Sequence, residues 1–197
     1  MDRRTPLSEE YLRSATVGEL QPLPAPICLS DYDPGWPFEF QRHAEIIRNA
    51  VGERALRIEH VGSTAVPGLP AKPIVDIVLV LADSANEAEF APALENAGYR
   101  LHIREPGWHE HRMFKRPEGS VNLHVFSAGC PEIDRMVTFR DLLRANVADR
   151  KLYAQSKRTL ADQVWKYTQN YADAKTAVIE EILARAGRGA VSDTGER

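Results

Sequence analysis

An aspartate inside an apolar run is the strongest constraint in this sequence. Ile74-Val75-Asp76-Ile77-Val78-Leu79-Val80-Leu81 is apolar at both odd and even positions and largely β-branched. That pattern marks a strand buried on both faces. A carboxylate in such a strand is costly to desolvate unless it is paired, hydrogen-bonded or bound to a metal. The run therefore predicts a central strand, and Asp76 requires something to meet it.

The preceding residues supply a matching half. Arg57 to Val61 reads as a short strand, broken at Gly62-Ser63 and followed by a stiff loop holding Pro67, Gly68, Pro70 and Pro73. Gly62 permits a tight turn and close backbone approach. Ser63 or Thr64 can cap a helical turn, whose free N–H groups attract anions such as phosphate. Together these features suggest a phosphate cradle beside a carboxylate able to hold a divalent cation.

This arrangement resembles the nucleotidyltransferase fold of the polymerase-β type, in which a hydrophobic-Gly-Ser turn precedes a strand carrying acidic residues. The string from His60 to Asp76, with His-Val-Gly-Ser-Thr-Ala-Val-Pro-Gly-Leu at its start, is similar to the GrpB family, a branch of that superfamily. The resemblance runs from about Ile27 to Ala186. It implies an α+β domain with a nucleotidyltransferase-like mixed or antiparallel sheet, flanking helices and a C-terminal helical layer. It also implies a nucleotide or other phosphorylated small molecule as ligand, with Mg²⁺ or another divalent cation. Family members fused to dephospho-coenzyme A kinase hint at cofactor metabolism.

The resemblance assigns roles residue by residue. Asp76 and His124 are the expected catalytic pair, with Asp76, His124 and Glu59 as candidate metal ligands. In Val121-Asn122-Leu123-His124-Val125-Phe126 the alternation puts Asn122 and His124 on one strand face. The family's usual His-Leu-His-Val reads Asn-Leu-His-Val here. Two-metal transfer wants carboxylates bridging ions roughly 3.5–4 Å apart. Where the superfamily has acidic, hydrophobic, acidic, this chain has Asp76, Ile77 and Val78.

Gly62, Ser63, Thr64 and Lys72 are the expected phosphate contacts near the turn. Arg112 and Lys115 point to opposite sides of one strand, and Arg112 is preferred because a guanidinium grips oxyanions bidentately. Phe139-Arg140-Asp141-Leu142-Leu143-Arg144 resembles a family motif, and Arg140 and Arg144 share a helix face. Tyr153 and Lys157 repeat the four-residue spacing, as do Tyr171 and Lys175. Arg140, Arg144, Tyr153 and Lys157 are expected to face the Gly-Ser loop and enclose a cleft, the alternative being surface salt bridges and helix packing.

Other readings are excluded or secondary. Gly68-Leu69-Pro70-Ala71-Lys72-Pro73 is no P-loop, because Pro73 replaces the required Ser or Thr. His109-Glu110-His111 leaves a loose metal site open. Cys28 and Cys130 have no zinc spacing and read as two reduced thiols. A formal charge of -3 argues against general nucleic-acid binding. No apolar run is long enough for a membrane span and no signal-peptide core follows Met1, so a cytoplasmic location is expected.

The 197 residues read as one domain over 26–186, with helices from about 132. Residues 1–25 are Pro-rich and read as a mobile tail with at most a loose turn around Ser8 to Ser14. Residues 187–197 read as a frayed tail. Three functions are compatible with these features: nucleotidyl transfer, a non-catalytic nucleotide- or phosphate-binding module that has lost the second acid, and a protein-interaction scaffold.

Overall fold

In the computed structural model, residues 6–23 and 26–192 are described, residues 186–192 by their backbone alone. The strands are β1 (Arg57–Val61), β2 (Val75–Leu81), β3 (Arg100–Glu105), β4 (His111–Lys115) and β5 (Val121–Ser127). They form one mixed sheet in the order β1-β2-β5-β4-β3. β2 runs parallel to β5, and the β1–β2, β5–β4 and β4–β3 pairs are antiparallel. The continuously apolar run thus becomes a central strand, as a two-faced apolar pattern requires.

The helices are α1 (Glu9–Ala15), α2 (Trp36–Val51), α3 (Ala91–Asn96), α4 (Pro131–Ala145), α5 (Val147–Ala161), α6 (Thr168–Ala174) and α7 (Thr176–Ser192). Pro37 sits in the first turn of α2 and Gly52 caps its end, the positions each residue favours. This is the expected α+β architecture, with a C-terminal helical layer from residue 131.

The two sheet faces differ. Ile77, Leu79, Leu123, Val125 and Phe114 face α2 and α3, forming the main core with Trp36, Ile47 and Leu94. Trp36 is therefore a packing anchor. On the other face, Val61, Val78, Val80 and Phe126 pack against Ile133 and Met136 of α4. Val78 is fully buried there, a burial worth about 1.5–3 kcal/mol. The helical layer closes on the loop after β1, where Val66 and Leu69 meet Leu143, Tyr153 and Ile182. Half of the second face, on β2, β5 and β4, is left to polar residues.

Residues 27–32 make a single bridge, Ser30 to Ala71. After β2 the chain makes a short turn, Glu87–Glu89, before α3. α7 extends to Ser192, past the expected start of fraying; residues 193–197 lie outside the described residues, as do 1–5, 24 and 25. The largest difference is at the N-terminus. α1 is capped by Ser8 and docks Leu7 and Leu12 against Tyr167. The Leu7 amide donates to Asp173 (2.9 Å) and the Val17 amide to the His102 carbonyl (2.9 Å). Apolar burial and backbone pairing order a segment whose composition suggests mobility.

Both cysteines are free thiols, Cys28 exposed and Cys130 partly buried. No described helix is long and apolar enough to cross a membrane.

Candidate functional site

The site begins where β1 ends. Gly62 turns the chain at φ 69°, a left-handed value that suits glycine. A Cβ there would collide with the Asp76 carboxylate. Glycine is thus required twice, for its conformation and for the acid beneath it. Ser63–Ala65 forms one tight helical turn. His60 stacks on Phe40 (4.8 Å between ring centroids) and its Nε2 meets Thr64 Oγ1 at 3.0 Å. Burial drives the His60 pKa down to about 4, so the ring is neutral.

Asp76 pairs in register with Asn122 on β5 and with Val61 on β1. Its Oδ1 accepts from Asn122 Nδ2 (2.8 Å) and lies 3.9 Å from His124 Nε2. Burial pushes the carboxyl pKa up, but His124, Asn122 and Lys72 outweigh it and hold Asp76 below the ordinary value. The side chain keeps 28% exposure, onto a cavity of about 560 Å³.

Four lysines line this cavity: Lys72, Lys115, Lys157 and Lys175. Lys115 sits beside Asn122 across the β4–β5 ladder. Lys72 and Lys175 both lie against the Tyr171 ring, at 5.8 and 4.7 Å. Lys157, 2% exposed, donates to the Pro70 carbonyl. Burial is the main force lowering all four ammonium pKa values, helped by lysine–lysine repulsion at Lys72, Lys115 and Lys157. The Lys157 ammonium falls to about 6. Tyr171 is buried to 1% and also lines the cavity, yet its hydroxyl has no hydrogen-bond partner among the described residues. Buried polar groups are normally satisfied, and this wall holds four ammonium groups and an unmet hydroxyl.

An apolar part of the wall comes partly from the N-terminus, where Leu7, Leu12, Ala15 and Leu20 line it with Ile103 and Met113.

The sequence-selected residues divide into three groups. Gly62, Ser63, Thr64, Lys72, Asp76, His124 and Lys157 meet at the cavity. Tyr153 lies beneath them, hydrogen-bonded to Ser63, its pKa raised because it is buried. Glu59, Arg140 and Arg144 brace the turn from behind. Arg140 donates to Glu59 (2.6 Å), the His60 carbonyl (2.9 Å) and Asp141 (2.8 Å). Arg144 donates to the Ala65 carbonyl (2.8 Å). Arg112 is not brought to the site. It lies on the opposite sheet face, bound to Glu87 (2.5 Å), because strand alternation sends Lys115 to the cavity instead.

The donor set fits a metal centre poorly. Among the described residues no three His, Cys, Asp or Glu side chains stand together as an ion site. Glu59 is taken up by Arg57 and Arg140, and Val78 fills the next same-face position on β2. The cationic charge facing a ligand comes from ammonium groups.

Sequence reasoning undervalued Lys115, Tyr171 and Lys175, raised His111 only as part of a loose metal site with His109, and missed Glu105. The repeated Tyr-x-x-x-Lys spacing was the available signal for Tyr171 and Lys175; nothing local marks Glu105, which reaches the site only through sheet pairing.

The family model described as "GrpB protein" matches residues 26–185. A UPF0157 protein of Halalkalibacterium halodurans is 57% identical, covering 92% of this chain and 93% of that one. A dephospho-CoA kinase of Mycolicibacterium paratuberculosis is 33% identical, over 82% of this chain and 46% of its own length. The crystal structure of the conserved protein GrpB from Enterococcus faecalis superposes with a TM-score of 0.66 at 28% identity, covering 78% of this chain and 98% of that one. With its turn, its central acid strand and nearly all of its helical layer inside the matched span, the chain belongs to the GrpB family.

Proposed function

We propose that this protein binds the phosphate groups of a nucleotide or another phosphorylated small molecule in the cavity beneath the Gly62–Thr64 turn. Four lysines converging on one carboxylate carry this reading. Burying several ammonium groups together is unfavourable unless an anion joins them. Tyr171 supplies an unsatisfied hydroxyl in the same wall. The apolar side formed by Leu7, Leu12 and Met113 suits the non-phosphate part of such a ligand. The match to a dephospho-CoA kinase agrees with a phosphorylated ligand.

A nucleotidyl transfer that depends on a divalent cation is the second reading, and the ionised Asp76 next to the turn favours it. Thermal denaturation with nucleoside triphosphates separates the two, in EDTA and in Mg²⁺. Binding of ligand to the native state stabilises it by about 2.7 kcal/mol at roughly 100 times Kd. The proposal expects stabilisation in EDTA that is lost in a Lys115→Ala, Lys175→Ala double variant. Stabilisation seen only with Mg²⁺ and abolished in Asp76→Asn would establish the second reading. No shift with any phosphorylated compound would leave neither standing.

A further inference from the structure

Sheet register divides the cavity into two unlike ends. Cross-strand partners share a face. One row runs through Asp76, Asn122 and Lys115 on β2, β5 and β4, and is polar throughout. The next row on that face runs through Val78, His124, Met113 and Ile103. It ends on Thr16, which bridges to Ile103 from the N-terminal segment. Beyond His124 this row is apolar until it leaves the sheet.

The N-terminal segment bounds the apolar end and is tied on both sides of it. On the sheet side the Val17 amide donates to the His102 carbonyl (2.9 Å). On the helical side the Leu7 amide donates to Asp173 (2.9 Å) and the Leu23 amide to the Lys166 carbonyl (2.8 Å). Leu7, Leu12, Ala15 and Leu20 line the cavity there, opposite Ile103 and Met113. Leu20, Ile103 and Met113 are only half-buried. Apolar surface is therefore left uncovered inside the cavity, which is unfavourable in water.

Charge is divided in the same way. The cavity's four lysines each lie within the field of Asp76, at the polar end. Glu105, near the apolar end, is buried between the Tyr11 hydroxyl (3.0 Å) and His111 Nδ1 (2.7 Å). His102, at the irregularity in β3, also lines the cavity, and burial lowers its pKa to about 4, so its ring is neutral. The volume of about 560 Å³ falls within the roughly 300–1,000 Å³ of pockets that enclose a whole small molecule. Phosphate groups on the lysines would leave the apolar end to water.

We infer that residues 7–20, with Ile103 and Met113, form a second subsite, which takes an uncharged, largely apolar group carried by the phosphorylated ligand. The ligand is then a phosphate ester of such a group, and it binds more tightly than inorganic phosphate. This rests on the reading that phosphate occupies the lysine cluster. Residues 7–20 precede the span that the family model matches, 26–185. Selection of the organic group thus falls largely to a part of the chain outside that span.

Calorimetric titration of the full-length protein in EDTA compares inorganic phosphate with 1-naphthyl phosphate, which adds one uncharged ring. The ester is expected to bind about tenfold more tightly or better, because the ring covers apolar surface. Met113→Asn and Leu20→Asn are each expected to cut that ratio about threefold or more. A second readout needs no variant. In methyl-labelled wild-type protein the naphthyl ring is expected to shift the Met113 methyl signal, and inorganic phosphate is not. Equal affinity for the two compounds, a ratio unchanged in both variants, or an unmoved Met113 methyl would overturn the inference while phosphate binding stands. If neither compound binds, the lysine reading fails and the inference falls with it.

Discussion

Lys157 carries a large electrostatic penalty in the cavity. Burial leaves its ammonium with a pKa of about 6, with Lys175 and Lys72 opposing the charge and Asp76 favouring it. The unfolded chain holds this proton up to about pH 10.4, the native chain only to about pH 6. Unfolding therefore takes up a proton between those values, and stability rises with pH across that window. Lys157→Met is expected to flatten the rise, measured as denaturant midpoints from about pH 6 to about pH 9; an unchanged slope would place the charge elsewhere. Gly62 makes the opposite kind of demand, for absence of a side chain. Gly62→Ala is expected to cost more than about 1 kcal/mol, because its φ is positive and its Cβ meets Asp76. Urea unfolding measures this. Asp76 was legible in the sequence because a charge contradicts the strand around it. Lys115 was not separable from Arg112, since alternation says that they part but not which face each takes.

Among the elements, β2 and α4 fix what stands at position 78. Val78 joins Val61, Phe126 and Ile133 in the contact that seats α4 on the sheet. Placing an acid there by Val78→Asp would bury an uncompensated carboxylate, and a loss on the order of 3 kcal/mol or more is expected. A stable Val78→Asp protein that gains tight Mg²⁺ binding would contradict this account of the site. α4 is also pinned electrostatically. Arg140 gives Nη1 to both Glu59 and the His60 carbonyl, and Nε and Nη2 to Asp141, a fork that an ammonium cannot copy. Arg140→Lys should lose about 1–3 kcal/mol, close to Arg140→Ala, read by chemical denaturation. α1 was legible as a turn but not as a wall. Its buried apolar positions, Leu12 and Ala15, with Leu7 just before it, are too few for a periodic signal, and their meaning comes from Tyr167 and the cavity.

At the scale of the molecule, charge is distributed against the average. The chain carries a formal charge of -3, while its cavity gathers four lysines around one aspartate. The family string and the strand pattern made the fold readable before any coordinates, because both depend on local sequence. The cationic cavity was only half readable, because its lysines come from a loop, strand β4, helix α5 and the junction between α6 and α7, which meet only after folding. Local positive potential in a walled cleft draws anions regardless of net charge, and salt should weaken the attraction.

Calorimetric titration of inorganic tripolyphosphate into the full-length protein in EDTA tests the central claim most directly. The account predicts binding without any divalent ion. An anion favours the charged form of Lys157, so complex formation should take up protons, and affinity should strengthen from about pH 8 down to about pH 6 before levelling off. Heats that are absent until Mg²⁺ is added, or an affinity indifferent to pH and to removal of Lys115 and Lys175, would contradict it.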